Sequence, residues 1–364
     1  MRLVGLAIAL LAATPGAPLD QALPGYEFRF PRDHFEHRSF GAEWWYYTGN
    51  LADADGREFG FEVTFFRAGR DAVPGSTKVW GLDQLYVAHF AITDIDGGRL
   101  HFRERLNRAG PGLAGASEGG GVIWNGNWSA TFLSGTPTKP VQRLWAGDAH
   151  ASLELRLEAA KPVVIHGRDG VARKAGGVGQ ASHYASLTRM RATGELVLDG
   201  DTFEVSGLAW MDHEFFTEGL ADDLQGWDWM SVQLDDGTDV MLYGLRLKSG
   251  GHSPFSGGTL VQPDGSSFAL RAEDIDLQPG REWVSQATGA SYPVEWRVQI
   301  HSLGVELDVL ARHDAQELVS ESGRTPVYWE GPVRYTGRRR GRPVRGAGYL
   351  EMTGYDRPVE MGAE

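Results

Sequence analysis

Cysteine is absent from the 364 residues. That excludes disulfides, thiolate chemistry, Cys-ligated metal sites and an acylated N-terminal cysteine anchor. Positive charge is scarce: 35 Lys and Arg stand against 48 Asp and Glu, a formal charge of -13, which opposes a general role in binding nucleic acid. No extended window keeps a helical apolar stripe, so helix is expected to be a minor component. There is no Gly-x-Ser-x-Gly elbow, and the glycines at Gly112, Gly115 and Gly119-Gly120-Gly121 lead into a strand-like segment instead of opening a nucleotide-binding helix. No cofactor is expected.

The chain has 49 glycines and 17 prolines, which with 41% hydrophobic residues describes an ordered protein rich in turns. After residue 25 almost every apolar stretch is short, branched or aromatic, and bounded by a turn signal. Residues 44–50 and 58–66 flank Ala54-Asp55-Gly56 and read as a hairpin. Similar pairs flank Asp199-Gly200, Asp235-Asp236-Gly237 and Pro263-Asp264-Gly265. Further strands are expected at 85–92, 122–132, 149–157, 294–300, 305–310 and 348–353, with 285–291 either loop or a short helix. Sequential hairpins close most economically as barrels, because closure removes exposed edges.

Length favours two domains. An echo supports this: Trp44-Trp45-Tyr46-Tyr47 before Asp55-Gly56 is repeated by Trp227-Asp228-Trp229 before Asp236-Gly237. The expected division is a signal-like segment at 1–17, an N-terminal domain at 22–216 and a C-terminal domain at 217–360. Met1-Arg2 followed by the apolar stretch 3–13 has the form of a secretory leader, too short to span a bilayer, with a buried terminal strand as the alternative. Export to the periplasm or medium is expected, with no transmembrane segment in the mature chain. Arg338-Arg339-Arg340 with Arg342 and Arg345 reads as a solvated hairpin tip, or as a contact for an anionic partner or membrane surface. Asn127-Trp128-Ser129 reads as a small polar turn.

Titratable groups interleave with aromatic rings in three places: Glu43-Trp44-Trp45-Tyr46-Tyr47, His183-Tyr184 with Trp210-Met211-Asp212-His213-Glu214, and Trp227-Asp228-Trp229. Such a mixture suits the wall of an apolar site with a few convergent polar groups. Strand alternation puts Trp210, Asp212 and Glu214 on one face and Met211 and His213 on the other. An Asp beside a Trp on an inward face is desolvated and its neutral form favoured. The competing reading is that Asp212-His213-Glu214 ends a strand, caps a turn or forms an interdomain salt bridge. These three adjacent residues point apart, so no metal site is expected from them. Glu43 reads as a second buried carboxylate or as the partner of an indole N–H. Trp227 and Trp229 share a face and cover either a cavity or the neighbouring barrel.

These stretches, with Ser182-His183-Tyr184-Ala185-Ser186-Leu187-Thr188-Arg189, Tyr328-Trp329-Glu330-Gly331-Pro332-Val333 and Gly348-Tyr349-Leu350-Glu351-Met352-Thr353-Gly354-Tyr355, resemble the signature segments of the AttH/CrtC family over roughly residues 25 to 357. The resemblance implies an all-β fold of tandem lipocalin-like antiparallel barrels. Among the family's members are carotenoid 1,2-hydratases, exported proteins encoded beside ABC-type permeases, and fungal cyclases. In the hydratases the implied chemistry is protonation of an alkene followed by water capture of the cation. It assigns Asp212 as the acid, His183 as the group that positions water or tunes the acid, and Trp210 as the cation-facing wall. Glu43, Trp45, Tyr184, Trp227 and Trp229 are expected to contact the substrate. Ala185 departs from the pattern, since an aromatic is expected there, and this puts carotenoid hydration itself in doubt. The expected function is acid-assisted hydration or isomerisation of a hydrophobic, terpenoid-like molecule held in a barrel cavity. The alternative is a non-catalytic periplasmic carrier working with an ABC-type permease.

Overall fold

A computed structural model describes residues 18–69, 84–320 and 325–359. The leader-like segment at 1–17 and the last residue of the C-terminal domain division lie outside the described residues. Two nearly closed antiparallel barrel-like sheets account for the fold, and the described residues contain no α-helix, only 3-10 turns at Arg32–His34, Ala272–Asp274 and His301–Leu303.

Among the described residues the first sheet has 13 strands. At its centre Ala42–Asp53 pairs with Glu58–Gly69 on one side and Asp201–Phe216 on the other, and Asp201–Phe216 pairs in turn with Ala181–Leu198. The second sheet has 10 strands, and Leu224–Leu234 holds the same place between Asp239–Leu247 and Arg342–Thr353, which pairs with Tyr328–Arg339. In both halves the opening strand therefore pairs with the closing one. This shared topology is the structural basis of the repeated Trp-rich hairpin. Gly56 and Gly237 sit at φ +86° and +82° in the two equivalent turns, a conformation that costs glycine little and other residues more.

Some strand expectations are corrected. Residues 122–132 form two strands, Val122–Asn125 and Trp128–Thr136, because Gly126 at φ +63° turns the chain between them. Arg99–Arg108 and Lys139–Gly147 are strands that the sequence pattern does not reveal, because their charged residues mask the alternation. Residues 285–290 are loop, between Glu282–Val284 and Ser291–Pro293. The arginine cluster is a hairpin tip, turning at Arg340-Gly341, with Arg339 paired to Asp236 at 2.8 Å.

Large apolar side chains fill both barrels. Trp45, Tyr47, Phe59, Phe61 and Phe90 lie in the first core, and Trp296, Trp329, Tyr335 and Leu350 in the second. Each such side chain contributes roughly 1.5–3 kcal/mol on burial. A third cluster, Tyr46, Tyr184, Trp210, Trp229, Met241 and Tyr349, belongs to neither interior: it fills the seam where the outer faces of the two sheets meet. The seam is latched by Asp239 of the second sheet, which accepts from Lys161 at 2.7 Å, Arg189 at 2.6 Å and Thr188 at 2.9 Å of the first.

Candidate functional site between the barrels

Alternation and one bulge decide which residues reach the seam. In Asp201–Phe216, Trp210, Asp212 and Glu214 point to the second barrel while Met211 packs in the core of the first. In Ala181–Leu198 a register shift between Leu187 and Met190 reverses the parity. Leu187 on one side of it, and Met190 and Ala192 on the other, can then all enter the first core, while Tyr184, Ser186 and Thr188 face the seam. Cross-strand register sets Tyr46 and Ser186 on either side of Asp212.

Asp212 is buried and holds three donors. Tyr184 Oη lies 2.5 Å from Oδ2, Trp210 Nε1 lies 2.6 Å from Oδ1, and Ser186 Oγ also donates to Oδ1. Burial pushes its carboxyl up to about 7, against the opposing pull of these hydrogen bonds and with the neighbouring Glu214 adding to the rise. Across the seam Trp229 Nε1 donates to Tyr184 Oη at 3.0 Å, and the Trp229 ring meets Trp210 edge-on at 6.0 Å. Behind Ser186, His166 Nε2 is 2.6 Å from Ser186 Oγ and its Nδ1 is 2.8 Å from Thr259 Oγ1. Burial lowers His166 to about 3, so it stays neutral and serves as a hydrogen-bonding strut.

Glu214, two residues on, accepts from Ser182 and pairs with Lys174 at 2.8 Å. The Lys174 ammonium lies 5.4 Å from the centre of the Tyr184 ring and 4.9 Å from that of Tyr243. Further along, Glu351 of the second barrel is half-buried beside Trp227, which donates to it; desolvation lifts it to about 8, and Glu62, Glu214 and Asp212 add to the rise. Deeper still, Tyr46 Oη donates to Glu330 at 2.5 Å and Tyr328 Oη to Glu62 at 3.0 Å. Glu330 Oε2 and Glu62 Oε2 are buried without a hydrogen-bond partner, and burial raises both carboxyls. The seam thus collects carboxyl groups, Asp212, Glu351, Glu330 and Glu62, that burial raises above the ordinary carboxylate range, walled by indoles and phenols. Trp44, Lys174, Trp227, Tyr243 and Glu351 are half-exposed and form its rim. A cavity of 240 Å³ lined by Tyr243, Gly244, His252, Pro254 and Leu277 adjoins that rim.

The residues expected from sequence divide between two places. Asp212, Trp210, Tyr184, Trp227 and Trp229 meet in the seam, outside either barrel interior, which makes the seam the candidate site. His183 and Asp212 do not meet. Position 183 has the parity opposite to 184, and the His183 ring stacks on Tyr26 at 4.4 Å with Nδ1 2.8 Å from the Gly170 carbonyl. Trp45 lies inside the first barrel, where its indole N–H donates to the His34 carbonyl at 2.9 Å. Glu43 partners no indole: its carboxylate is bound by Arg67, His37 and His213 at the end of the first barrel. Sequence reasoning missed Lys174, His166 and Ser186, the first two of which lie in or beside two-residue strands with no periodic signal, and it assigned no chemistry to Glu351.

The sequence matches the AttH-like family over residues 21–355. A solved AttH structure from Nitrosomonas europaea is similar at a TM-score of 0.82 and 32% identity, covering 93% of this chain and 100% of that one. The solved kievitone hydratase from Nectria haematococca shares the fold, with a TM-score of 0.68 at 14% identity over 94% of this chain and 96% of that one. Among curated sequences, the dehydratase asqC of Emericella nidulans is 23% identical over 229 residues, 58% of this chain and 60% of that protein. The kievitone hydratase of Fusarium solani subsp. phaseoli is 22% identical over 216 residues, 58% of this chain and 59% of that protein. The matches thus span about three fifths of the length of these curated relatives. With the family match running through both barrels and the seam between them, the chain belongs to the AttH-like family.

Proposed function

We propose that the seam is an active site for adding water to, or removing it from, a carbon–carbon double bond of a hydrophobic small molecule, with Asp212 as proton donor. The observation that carries this reading is a carboxyl buried between Trp210 and Tyr184, with Trp229 behind, at a site whose rim is aromatic. When Asp212 holds a proton it donates to Tyr184 Oη, which also accepts from Trp229, so the Tyr184 hydroxyl hydrogen is released to turn toward a bound alkene. The proton then passes from Tyr184 Oη to the alkene carbon while Asp212 replaces it. Indole and phenol faces stabilise the developing cation. Water bonds to the cationic carbon, and its spare proton returns to the Asp212 carboxylate through the same hydroxyl. Dehydration is the reverse.

The names of the curated relatives, a dehydratase and a kievitone hydratase, support this reaction class. A terpenoid-like or prenylated alkene suits the aromatic rim, while Ala185, paired with His213 on the face turned away from Asp212, does not shape this site. The leader-like residues at 1–17 support an exported protein. Incubating the protein with a panel of prenylated alkenes and tertiary alcohols in ¹⁸O-labelled water tests the reaction. Product differing from substrate by one water, labelled in the hydration direction, is expected; a tightly bound apolar ligand recovered unchanged would instead mark a carrier.

The rate should depend on pH with a definite sign. The working form of Asp212 is protonated and its carboxyl is raised to about 7, so kcat is expected to be level below that pH and to fall as pH rises through it. A kcat that climbs between pH 6 and 8 would show that the carboxylate, acting as a base, is the working form.

A further inference from the structure

Behind Asp212, on the other face of the same strand, a second polar cluster closes the end of the first barrel, and the hydration chemistry leaves it unused. Glu43 and His213 are diagonal neighbours on Ala42–Asp53 and Asp201–Phe216, and His37 reaches them from the segment before the first strand. His213 Nδ1 lies 3.0 Å from the Asp33 carbonyl, which only accepts, so that nitrogen carries hydrogen. His37 Nε2 lies 3.2 Å from Asp33 Oδ1, a carboxylate already bound by the Arg32 guanidinium and the Arg29 amide, so this nitrogen also donates. The inward nitrogens, His37 Nδ1 and His213 Nε2, are left facing one oxygen, Glu43 Oε1, at 2.7 Å each. Glu43 Oε2 is occupied by Arg67 Nε and the His37 amide, both at 2.9 Å.

As neutral imidazoles, these groups aim three acceptors at one point. Filling both contacts with hydrogen creates two imidazolium rings with centroids 5.5 Å apart beside Arg67, where the Glu43 side chain is 0% and that of His213 2% exposed. A divalent cation carries the same charge as those two protons and accepts all three lone pairs.

We propose that His37 Nδ1, His213 Nε2 and Glu43 Oε1 bind a divalent metal ion, with Zn²⁺ as the first candidate. All three atoms lie within 4.8 Å of one another. Two imidazoles and a carboxylate are zinc ligand types, and the outer nitrogens held by a backbone carbonyl and a carboxylate form the second layer that orients metal-bound histidines. The 2.7 Å contacts need to open only to roughly 3.3 Å around an ion with bonds of about 2.0–2.1 Å. Phe215 stacks on His37 at 3.6 Å and Trp45 on His213 at 4.9 Å, which crowds the site and favours a four-coordinate ion, with one water beside the three protein ligands, over an octahedral one. The ion pins the segment bearing Asp33 and His37 to the strand that carries Trp210 and Asp212 on its opposite face.

The test is a calorimetric titration of the EDTA-treated, folded protein with ZnCl₂, and a parallel titration with CoCl₂ followed in the visible spectrum. One equivalent should bind, cobalt should show the intense band of a tetrahedral ion, and Tm should rise with added zinc. His37→Ala, at the edge of the cluster, and His213→Gln should each lose the bound equivalent. Asp212→Asn should keep it, so failure of the metal assignment and failure of the seam chemistry are read separately. Folded wild-type protein that takes up neither ion, or a His37→Ala variant that binds zinc as well as wild type does, overturns the assignment.

Discussion

Asp212→Asn is expected to lower kcat roughly 10²-fold or more while ligand binding stays within a few-fold, the size of effect that follows loss of a general acid. The asparagine keeps the volume of the side chain, and its carbonyl oxygen still accepts from Tyr184 or from Trp210, so the seam is expected to stay packed. What is lost is the ability to give and retake a proton. Single-turnover kinetics separates the two quantities: an unchanged dissociation constant with a slow chemical step is the predicted outcome. Equal rates for the two proteins would remove Asp212 from the mechanism. Loss of folding would mean that the residue holds the barrels together and nothing more.

The second large effect concerns stability. Asp239→Ala is expected to destabilise the protein by about 3 kcal/mol, the lower end of the range for breaking a buried ion pair from one side. The substitution strands Lys161, whose side chain is 5% exposed, and Arg189, 16% exposed, without their carboxylate. Both retain backbone acceptors, Gly237 for Lys161 and Leu234 for Arg189, which keeps the loss from being larger. Because the cations belong to one barrel and the carboxylate to the other, the seam should loosen before either barrel unfolds. Denaturant unfolding should show an earlier transition in which the fluorescence of the seam tryptophans Trp210 and Trp229 changes first. A midpoint shift equivalent to less than about 1 kcal/mol, the range of exposed ion pairs, would contradict the latch.

Much of the fold was legible because its causes are local. Asp55-Gly56 and Asp236-Gly237 announce hairpins through the backbone conformation that glycine permits, and the segments beside them alternate with period two. The site was legible only in part, because alternation says which residues share a face and is silent about what that face meets. Trp210, Asp212 and Trp229 share the seam, yet the same pattern fits a barrel interior. His183 and Tyr184 are adjacent in sequence and opposite in space; which of the two faces Asp212 is fixed by the parity of their strand and its bulge beyond Leu187, which no turn residue marks. Lys174 and His166 carry no periodic signal, since they reach the seam from short bridging segments, and Glu351 is a solitary acid on a strand whose importance comes from the opposite barrel. The Glu43, His37 and His213 cluster draws on three separated stretches and becomes visible only through the pairing of Ala42–Asp53 with Asp201–Phe216.

Everything proposed for the seam depends on Asp212 holding a proton at neutral pH, which can be measured without knowing the substrate. Infrared difference spectra between wild-type protein and Asp212→Asn, recorded across a pH series, isolate the carboxyl C=O stretch of this one group. A protonated-acid band is expected at pH 6, disappearing with a midpoint near the value of about 7 to which burial raises Asp212, and missing from the variant. A carboxylate already fully ionised at pH 5 would contradict this expectation.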